Sequence, residues 1–309
     1  MRFAALEFVV GFLLGIGVPH SALAAADRVV VYASQDQVYA EPILQQFEKQ
    51  SGIPVAAVFD SEAVKTVGLA NRLLAERNHP QCDLFWSNEE LRTRQLAARS
   101  LFRQKAPWVA VGFRSRRIVV NTNRLSLANA PRHLRELTNQ VWRGKVALAY
   151  PLFGTTATHF LALRQRWGAK AWETWCRALA ENNPFLVDGN SVAAKLVARG
   201  EAWIGLTDSD DIAAEQHNGA SIVALPMDEE TLLIPNTLAV LRQAPDPDGA
   251  ERLWEYLQSP AVLQQLVRDG ALEGANLQAI NVPTLHPNWD ELLKELEPAT
   301  ATLKRIFLR

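Results

Sequence analysis

The stretch Ala202–Asp211, AWIGLTDSDD, joins a short apolar run of strand length to Thr207, Asp208, Ser209, Asp210 and Asp211. Two hydroxyls and three carboxylates follow the point where a strand would end. A solvated turn, a helix N-terminus and a ligand site all have this composition. The surrounding chain must discriminate between them.

The same grammar recurs throughout. Arg28–Tyr32 and Val55–Phe59 are apolar, β-branched runs, and Asp83–Trp86 is strand-like. Between them Ala40–Gln50 carries Ile43, Leu44 and Phe47 at helical spacing, and Ser61–Arg77 is rich in Leu and Ala. A second set predicts strands at Ile118–Val120, Val146–Ala149, Phe185–Val187, Trp203–Leu206 and Ile222–Leu225. Helices are predicted at Thr155–Trp167, Lys170–Asn182 and Ser191–Ala198, the last stopped by Gly200. Leu232–Leu241 reads as a strand interrupted by Pro235, followed by helices at Asp248–Gln258, Pro260–Asp269 and after Pro298. Alternation of this kind predicts an α/β fold of two lobes, each a mainly parallel sheet flanked by helices.

Open α/β sheets bind ligands at the C-terminal ends of their strands. Those positions hold Ser34 and Asp36, then Asp60, Ser61 and Glu62, then Asn88 and Glu89 behind Trp86. Gly154, Thr155 and Thr156 follow the fourth such strand, Asn190 and Ser191 the next, and Thr207, Asp208 and Asp210 the last. Capping explains many of these residues singly, because Ser, Thr, Asp and Asn accept the free N–H groups of a first helical turn. Convergence of so many carboxylates on one cleft costs stability unless a cation or basic side chains offset it. Lys65, Arg114, Arg116 and Lys195 are the candidate offsets. A bound hard cation or an amine would serve the same purpose.

Bulk composition narrows the classes. The 309 residues are 48% hydrophobic and 21% charged with a net charge of −1, a globular balance without a general nucleic-acid surface. Arg2, the apolar run Phe8–Val18 and the small-residue sequence Ala22-Leu23-Ala24 read as an export signal, with cleavage expected near Ala24. Cys82 and Cys176, the only cysteines, lack metal or redox spacing and are expected to be buried free thiols. His79, His133, His159, His217 and His286 show no ligand spacing, and neither a G-x-S-x-G elbow nor a phosphate-binding P-loop is present. No enzymatic activity is expected.

The segments VVVYASQDQVYAEPILQQFEKQSGIPV (29–55), FDSEAVKTVGLANRLLAE (59–76), CDLFWSNE (82–89), NSVAAKLVARGEAWIGLTDSDD (190–211) and LLIPNTLAVL (232–241) occur in this order. Over about Arg28–Gly270 the chain resembles the periplasmic solute-binding proteins of ABC importers. It is most similar to the ferric-iron-binding branch, which is related to the thiamine- and sugar-phosphate-binding branches. The resemblance implies a type II periplasmic-binding-protein fold with two hinge crossings, near Ser115–Asn121 and Leu232–Leu241. It further implies lobes at 25–114 plus 235–270 and at 115–234 plus 271–309, following a signal peptide at 1–24. A monomer would close on its ligand and deliver it to an inner-membrane permease, with no nucleic-acid partner. Ferric members bind iron through a His, a Glu and two adjacent Tyr. Those positions correspond here to Asp36, to Asn88 with Glu89 beside it, and to about Ser209 and Asp210.

Two readings therefore stand at this level. Asp36, Asp208 and Asp210 hold a hard cation, ferric iron foremost, with Arg114 or Arg116 on a companion anion as the resemblance implies. Alternatively the ligand is a small organic molecule of thiamine, phosphonate, sugar-phosphate or polyamine type, with a cationic group on the aspartates or a phosphate on the helix N-terminus at Gly154–Thr156.

Overall fold

A computed structural model describes residues 28–59 and 65–308. The expected export segment and Asp60, Ser61 and Glu62 lie outside the described residues. From Val29 the strand–helix alternation is realised: β1 (Val29–Ala33), α1 (Gln37–Ser51), β2 (Val55–Phe59), α2 (Lys65–Ala75), β3 (Leu84–Ser87) and α3 (Glu90–Ala98). Both β2 and β3 pair parallel with β1. On α1, Ala40, Ile43, Leu44 and Phe47 are buried, one face of a 3.6-residue repeat.

The next strand departs from expectation. Sequence patterning predicts only Ile118–Val120, whereas β4 runs from Val109 to Asn121. Its middle, Arg114-Ser115-Arg116-Arg117, is too polar to read as a strand, yet Arg114, Ser115 and Arg116 are all buried. β4 is followed by β5 (Val146–Ala149), α4 (Gly154–Trp167), α5 (Ala169–Glu181), β6 (Phe185–Val187), α6 (Asn190–Ala198), β7 (Ile204–Asp208), α7 (Ser209–His217) and β8 (Ile222–Ala224). β9 (Leu233–Val240), α8 (Pro247–Leu257), α9 (Pro260–Arg268) and α10 (Trp289–Phe307) complete the set.

The sheet order is β2-β1-β3-β9-β4-β7-β5-β6, with β8 paired to β4. Val109–Ser115 of β4 lies antiparallel to β9, and Arg116–Val120 lies antiparallel to β7. Thus β4 changes partner between Ser115 and Arg116, where one α/β half gives way to the other. β9 lies between β3 and β4, pairing with β3 through Thr237–Val240 and with β4 through residues 233–238. The expected parallel pairing holds for β1 with β2 and β3 and for β5 with β6 and β7. The two strands that join the halves pair antiparallel, β9 with β3 and β4, and β4 with β7 as well.

Gly112 makes the change of course possible. Its φ is +69°, beside the register shift at Ala110 and Phe113, and a Cβ there would sit 2.5 Å from Leu272 Cδ1 and 2.9 Å from the Gly274 carbonyl oxygen. Only glycine satisfies both the left-handed backbone and the close approach.

Each half has core on both sheet faces. Val31, Phe47, Leu84, Leu238 and Leu253 pack on one side of the first half, and Tyr32, Leu69, Phe85 and Phe102 on the other. In the second half Leu148, Phe160, Trp172 and Leu206 pack with Leu296, Leu303 and Phe307 of α10. Val119, Ala147, Val197 and Ile222 cover the opposite face. α10 begins well before Pro298, the expected start. Asn288 Oδ1 accepts from the Asp290 and Glu291 N–H groups at 3.2 and 3.3 Å, and the buried series Leu292, Leu296, Ala299, Leu303 spans the proline. Burial of that face outweighs the single backbone bond that Pro298 removes. Cys82 and Cys176 are buried free thiols in separate clusters.

Candidate ligand cleft

The strand register places Asp208 of β7 directly opposite Arg116 of β4. Asp208 Oδ1 accepts from Arg116 Nη1 at 2.6 Å. Its Oδ2 accepts from Thr155 Oγ1 at 2.7 Å and from Arg114 Nη1 and Asn190 Nδ2 at 3.3 Å. Arg114 Nη1 also donates to Asp210 Oδ2 at 2.6 Å, and Nη2 to the Asn88 carbonyl oxygen at 2.7 Å. Arg116 adds bonds to Asn190 Oδ1 at 2.8 Å and the Leu206 carbonyl oxygen at 3.1 Å. All four charged side chains are at most 4% exposed. Burial opposes ionisation of Asp208, but Arg116 and Arg114 outweigh it and hold the carboxyl below its usual range. Burial likewise opposes the charge on Arg114, and Asp210 and Asp208 overcome it, raising the pKa of the guanidinium.

This network changes the roles expected of its members. Asp208, Asp210 and Asp211 bring carboxylate oxygens within 4.8 Å of one another, near enough to share an ion. The Arg114 guanidinium nevertheless bridges Asp208 and Asp210, where such an ion would otherwise sit. Both carboxylate oxygens of Asp208 thus accept from partners within the chain, with Arg114 and Arg116 as its counter-ions. Arg114 and Arg116 act as the expected offsets, paired to Asp208 and Asp210 of the chain itself. At the N-terminus of α4 the hydroxyls are engaged within the network: Thr155 Oγ1 donates to Asp208, and Thr156 Oγ1 donates to Asn190 Oδ1 at 3.0 Å.

Other expected ligands are also absorbed by the scaffold. Glu89 caps α3, its carboxylate accepting from the Leu91 N–H at 2.8 Å and the Arg92 N–H at 3.0 Å, and from Thr158 Oγ1 at 3.3 Å. Burial pushes the Glu89 carboxyl up against the opposing effect of Arg92. Ser34 Oγ accepts from the Asn88 N–H at 3.0 Å, tying β1 to the end of β3. Trp86 is buried in the core of the first half. Thr207 Oγ1 donates to the Asn190 carbonyl oxygen at 2.8 Å, and Gly154 supplies the left-handed backbone at the start of α4.

Three expected residues, Asp36, Ser191 and Asp210, line a cleft of about 460 Å³ between the start of α1 and helices α6 and α7. Tyr39, Phe59, Lys195, Asp211 and Glu215 line it as well. Four carboxylates thus line the cleft beside one lysine, and although Arg114 offsets Asp210 from behind, the balance among the described lining residues stays negative, which favours a cationic guest. The Tyr39 phenol is pushed up to about 12, first by burial and then by Asp210 and Asp211. At neutral pH it is a neutral donor, and only a strong Lewis acid would displace its proton. Asp211 and Glu215 share a face of α7 by their i,i+4 spacing, a signal the sequence holds once the helix start is known. Tyr39 was missed because its distance from α7 closes only in three dimensions. A larger hollow, about 770 Å³ against α5, lies away from the strand ends and is lined by Trp167, Trp175, Arg135 and Lys170.

Behind the network, His159 is buried and donates from Nε2 to the Glu230 carbonyl oxygen at 2.7 Å. Burial and the neighbouring Arg116 hold its pKa down to about 3, so the ring is neutral.

Two α/β halves joined by two strands, with a polar cleft at the strand ends, define a two-lobed binding protein. Structural comparison agrees: iron-bound HitA from Pseudomonas aeruginosa superposes with a TM-score of 0.78 at 18% identity, over 90% of this chain and 99% of that one. The periplasmic binding protein AfuA from Actinobacillus pleuropneumoniae, solved with exogenous fructose-6-phosphate, gives 0.72 at 20% identity over 91% and 96%. These likenesses establish the type II periplasmic-binding-protein fold. The chain belongs to the bacterial extracellular solute-binding proteins, whose family pattern matches residues 28–271. Among characterised relatives, the major ferric iron-binding protein of Neisseria meningitidis is 24% identical over 302 residues, covering 89% of this chain and 88% of that protein.

Proposed function

We propose that this protein is the periplasmic capture component of an ABC importer, holding a hard cation, ferric iron foremost, in the cleft between α1 and α6–α7. The observation that carries this reading is the convergence of Asp36, Tyr39, Asp210, Asp211 and Glu215 on one cavity. Carboxylate and phenol oxygens are hard donors, and hard trivalent iron is the cation most able to ionise a phenol whose pKa is raised. Kinship with ferric iron-binding proteins supports the same choice. The lobes are 25–114 plus 235–270 and 115–234 plus 271–309, hinged where β4 and β9 pass between halves. The monomer closes on its cargo and hands it unchanged to a permease, after removal of a signal peptide near Ala24.

Titration of apo protein with ferric citrate tests this. Wild type is expected to gain thermal stability by linkage, and Asp36→Asn combined with Asp211→Asn to lose that gain. Absence of a gain in wild type refutes the ferric reading. A cationic organic ligand is the second reading, favoured by Tyr39 and Phe59 lining the same carboxylate cavity, an arrangement suited to ammonium groups. A sugar phosphate or phosphonate would find only Lys195 as a cation among the described lining residues. A chelator-insensitive thermal shift with thiamine or a polyamine would select that reading instead, and one with a phosphonate or a hexose phosphate would point to an anionic cargo and against both.

A further inference from the structure

Away from the cleft, the fold brings together three residues that no sequence spacing connects. His133, Asp228 and Glu230 each offer a ligating atom, all within 4.8 Å of one another. Glu230 accepts the Leu134 N–H at 3.0 Å through Oε2, which draws the neighbouring His133 onto the 228–231 turn. Asp228 Oδ1 accepts from the Glu230 N–H at 2.9 Å and from Thr231 Oγ1 at 3.2 Å. Its Oδ2 faces His133 Nδ1 at 3.5 Å.

That last distance is long for a hydrogen bond. It matches the separation of two ligands on one tetrahedral zinc: bonds of about 2.0–2.1 Å at the tetrahedral angle place their atoms about 3.4 Å apart. The carboxylates already hold the outer hydrogen bonds that orient metal ligands, Glu230 through Leu134 and, at 3.0 Å, through Trp167 Nε1. An independent observation lies in the small cavity that Asp228 and Glu230 line: His159, 1% exposed, is in its wall and its Nδ1 has no hydrogen-bond partner. The nearest opposing charge to Glu230 is Arg135, 57% exposed, whose Nε is 3.7 Å from Glu230 Oε1 and whose guanidinium lies over the Trp167 ring at 4.6 Å; Arg132 and Arg116 also line the small cavity. His133 is 53% exposed, so an ion can reach it from solvent.

We propose that His133, Asp228 and Glu230 form an accessory site for a borderline divalent metal of the zinc class, with water completing the tetrahedron. Imidazole with carboxylates suits zinc and its neighbours, and not magnesium or calcium, which take all-oxygen sites. The bound ion ties the turn preceding β9 to the segment around Leu134, stabilising the folded protein. The site is separate from the cleft and independent of the cleft's cargo.

The test uses full-length mature protein carrying Asp36→Asn and Asp211→Asn, so that the cleft does not contribute. Zinc chloride is titrated by equilibrium dialysis with metal analysis, and cobalt chloride by visible absorption. The expected result is one zinc per chain, a tetrahedral cobalt band, and no response to magnesium. His133→Ala, at an exposed position, is expected to weaken zinc binding about tenfold or more, and Asp228→Asn to do the same. Failure of the cleft variant to bind zinc, or unchanged binding after His133→Ala, overturns the assignment. Ferric citrate binding by wild type is scored separately, so failure of either reading is recognisable alone.

Discussion

Asp208→Asn separates an internal counter-ion from a ligand. In the structure Asp208 is 4% exposed and accepts from two arginines, Thr155 and Asn190. Asparagine keeps the shape but removes the charge, leaving Arg114 paired to Asp210 and taking away the carboxylate that Arg116 faces. Breaking a buried pair in this way costs about 3–5 kcal/mol. With a urea slope near 3 kcal/mol/M, the midpoint should fall by roughly 1–1.7 M. Urea denaturation followed by circular dichroism measures that shift, repeated with saturating ferric citrate to measure the ligand-induced gain. Asp208→Asn should lower the midpoint and keep the gain. Asp36→Asn with Asp211→Asn should do the reverse, moving the midpoint little and abolishing the gain. A stable Asp208→Asn protein that no longer responds to ferric citrate would refute the counter-ion assignment, and so would a midpoint unchanged from wild type.

His159 makes stability depend on pH. Its folded pKa of about 3 lies below the unfolded value near 6.5, so the unfolded chain takes up the proton first and stability is lost as pH falls through that window. Between pH 7.5 and 5 the loss is about 2 kcal/mol, and His159→Gln should remove that component; equal pH dependence in both proteins contradicts it. Gly112→Ala must fit a Cβ 2.5 Å from Leu272 Cδ1 at a φ of +69°, costing about 2–4 kcal/mol by thermal melting. An alanine variant as stable as wild type would mean that β4 follows another path.

Much of the architecture follows from local pattern. Five-residue β-branched runs alternate with apolar residues at helical spacing, and these periods report which face each element buries. The parallel outer strands, the helices between them and the polar strand ends are consequences of that pattern. β4 was hidden for a physical reason: its arginines are polar in sequence but are buried because carboxylates on β7 and α7 neutralise them. α10 was shortened in the sequence reading because Pro298 disfavours a helix locally, while burial of Leu292 and Leu296 is a tertiary effect.

The candidate site divides along the same line. That Asp36, Asp208 and Asp210 gather at strand ends is a consequence of the strand–helix grammar. Which of them meets a ligand is not, because it depends on where positive charge arrives from more than ninety residues away in the chain. Arg114 and Arg116 arrive on β4 and claim Asp208, and Arg114 claims a share of Asp210. The opening run of Asp208, Ser209, Asp210 and Asp211 is thereby split between scaffold and cleft. Tyr39 and Glu215, unremarkable in the linear chain, become cleft residues, and His133 meets Asp228 and Glu230. Side-chain chemistry is written residue by residue, but whether a charge is spent inside the fold or offered to a guest is a property of its neighbours in space.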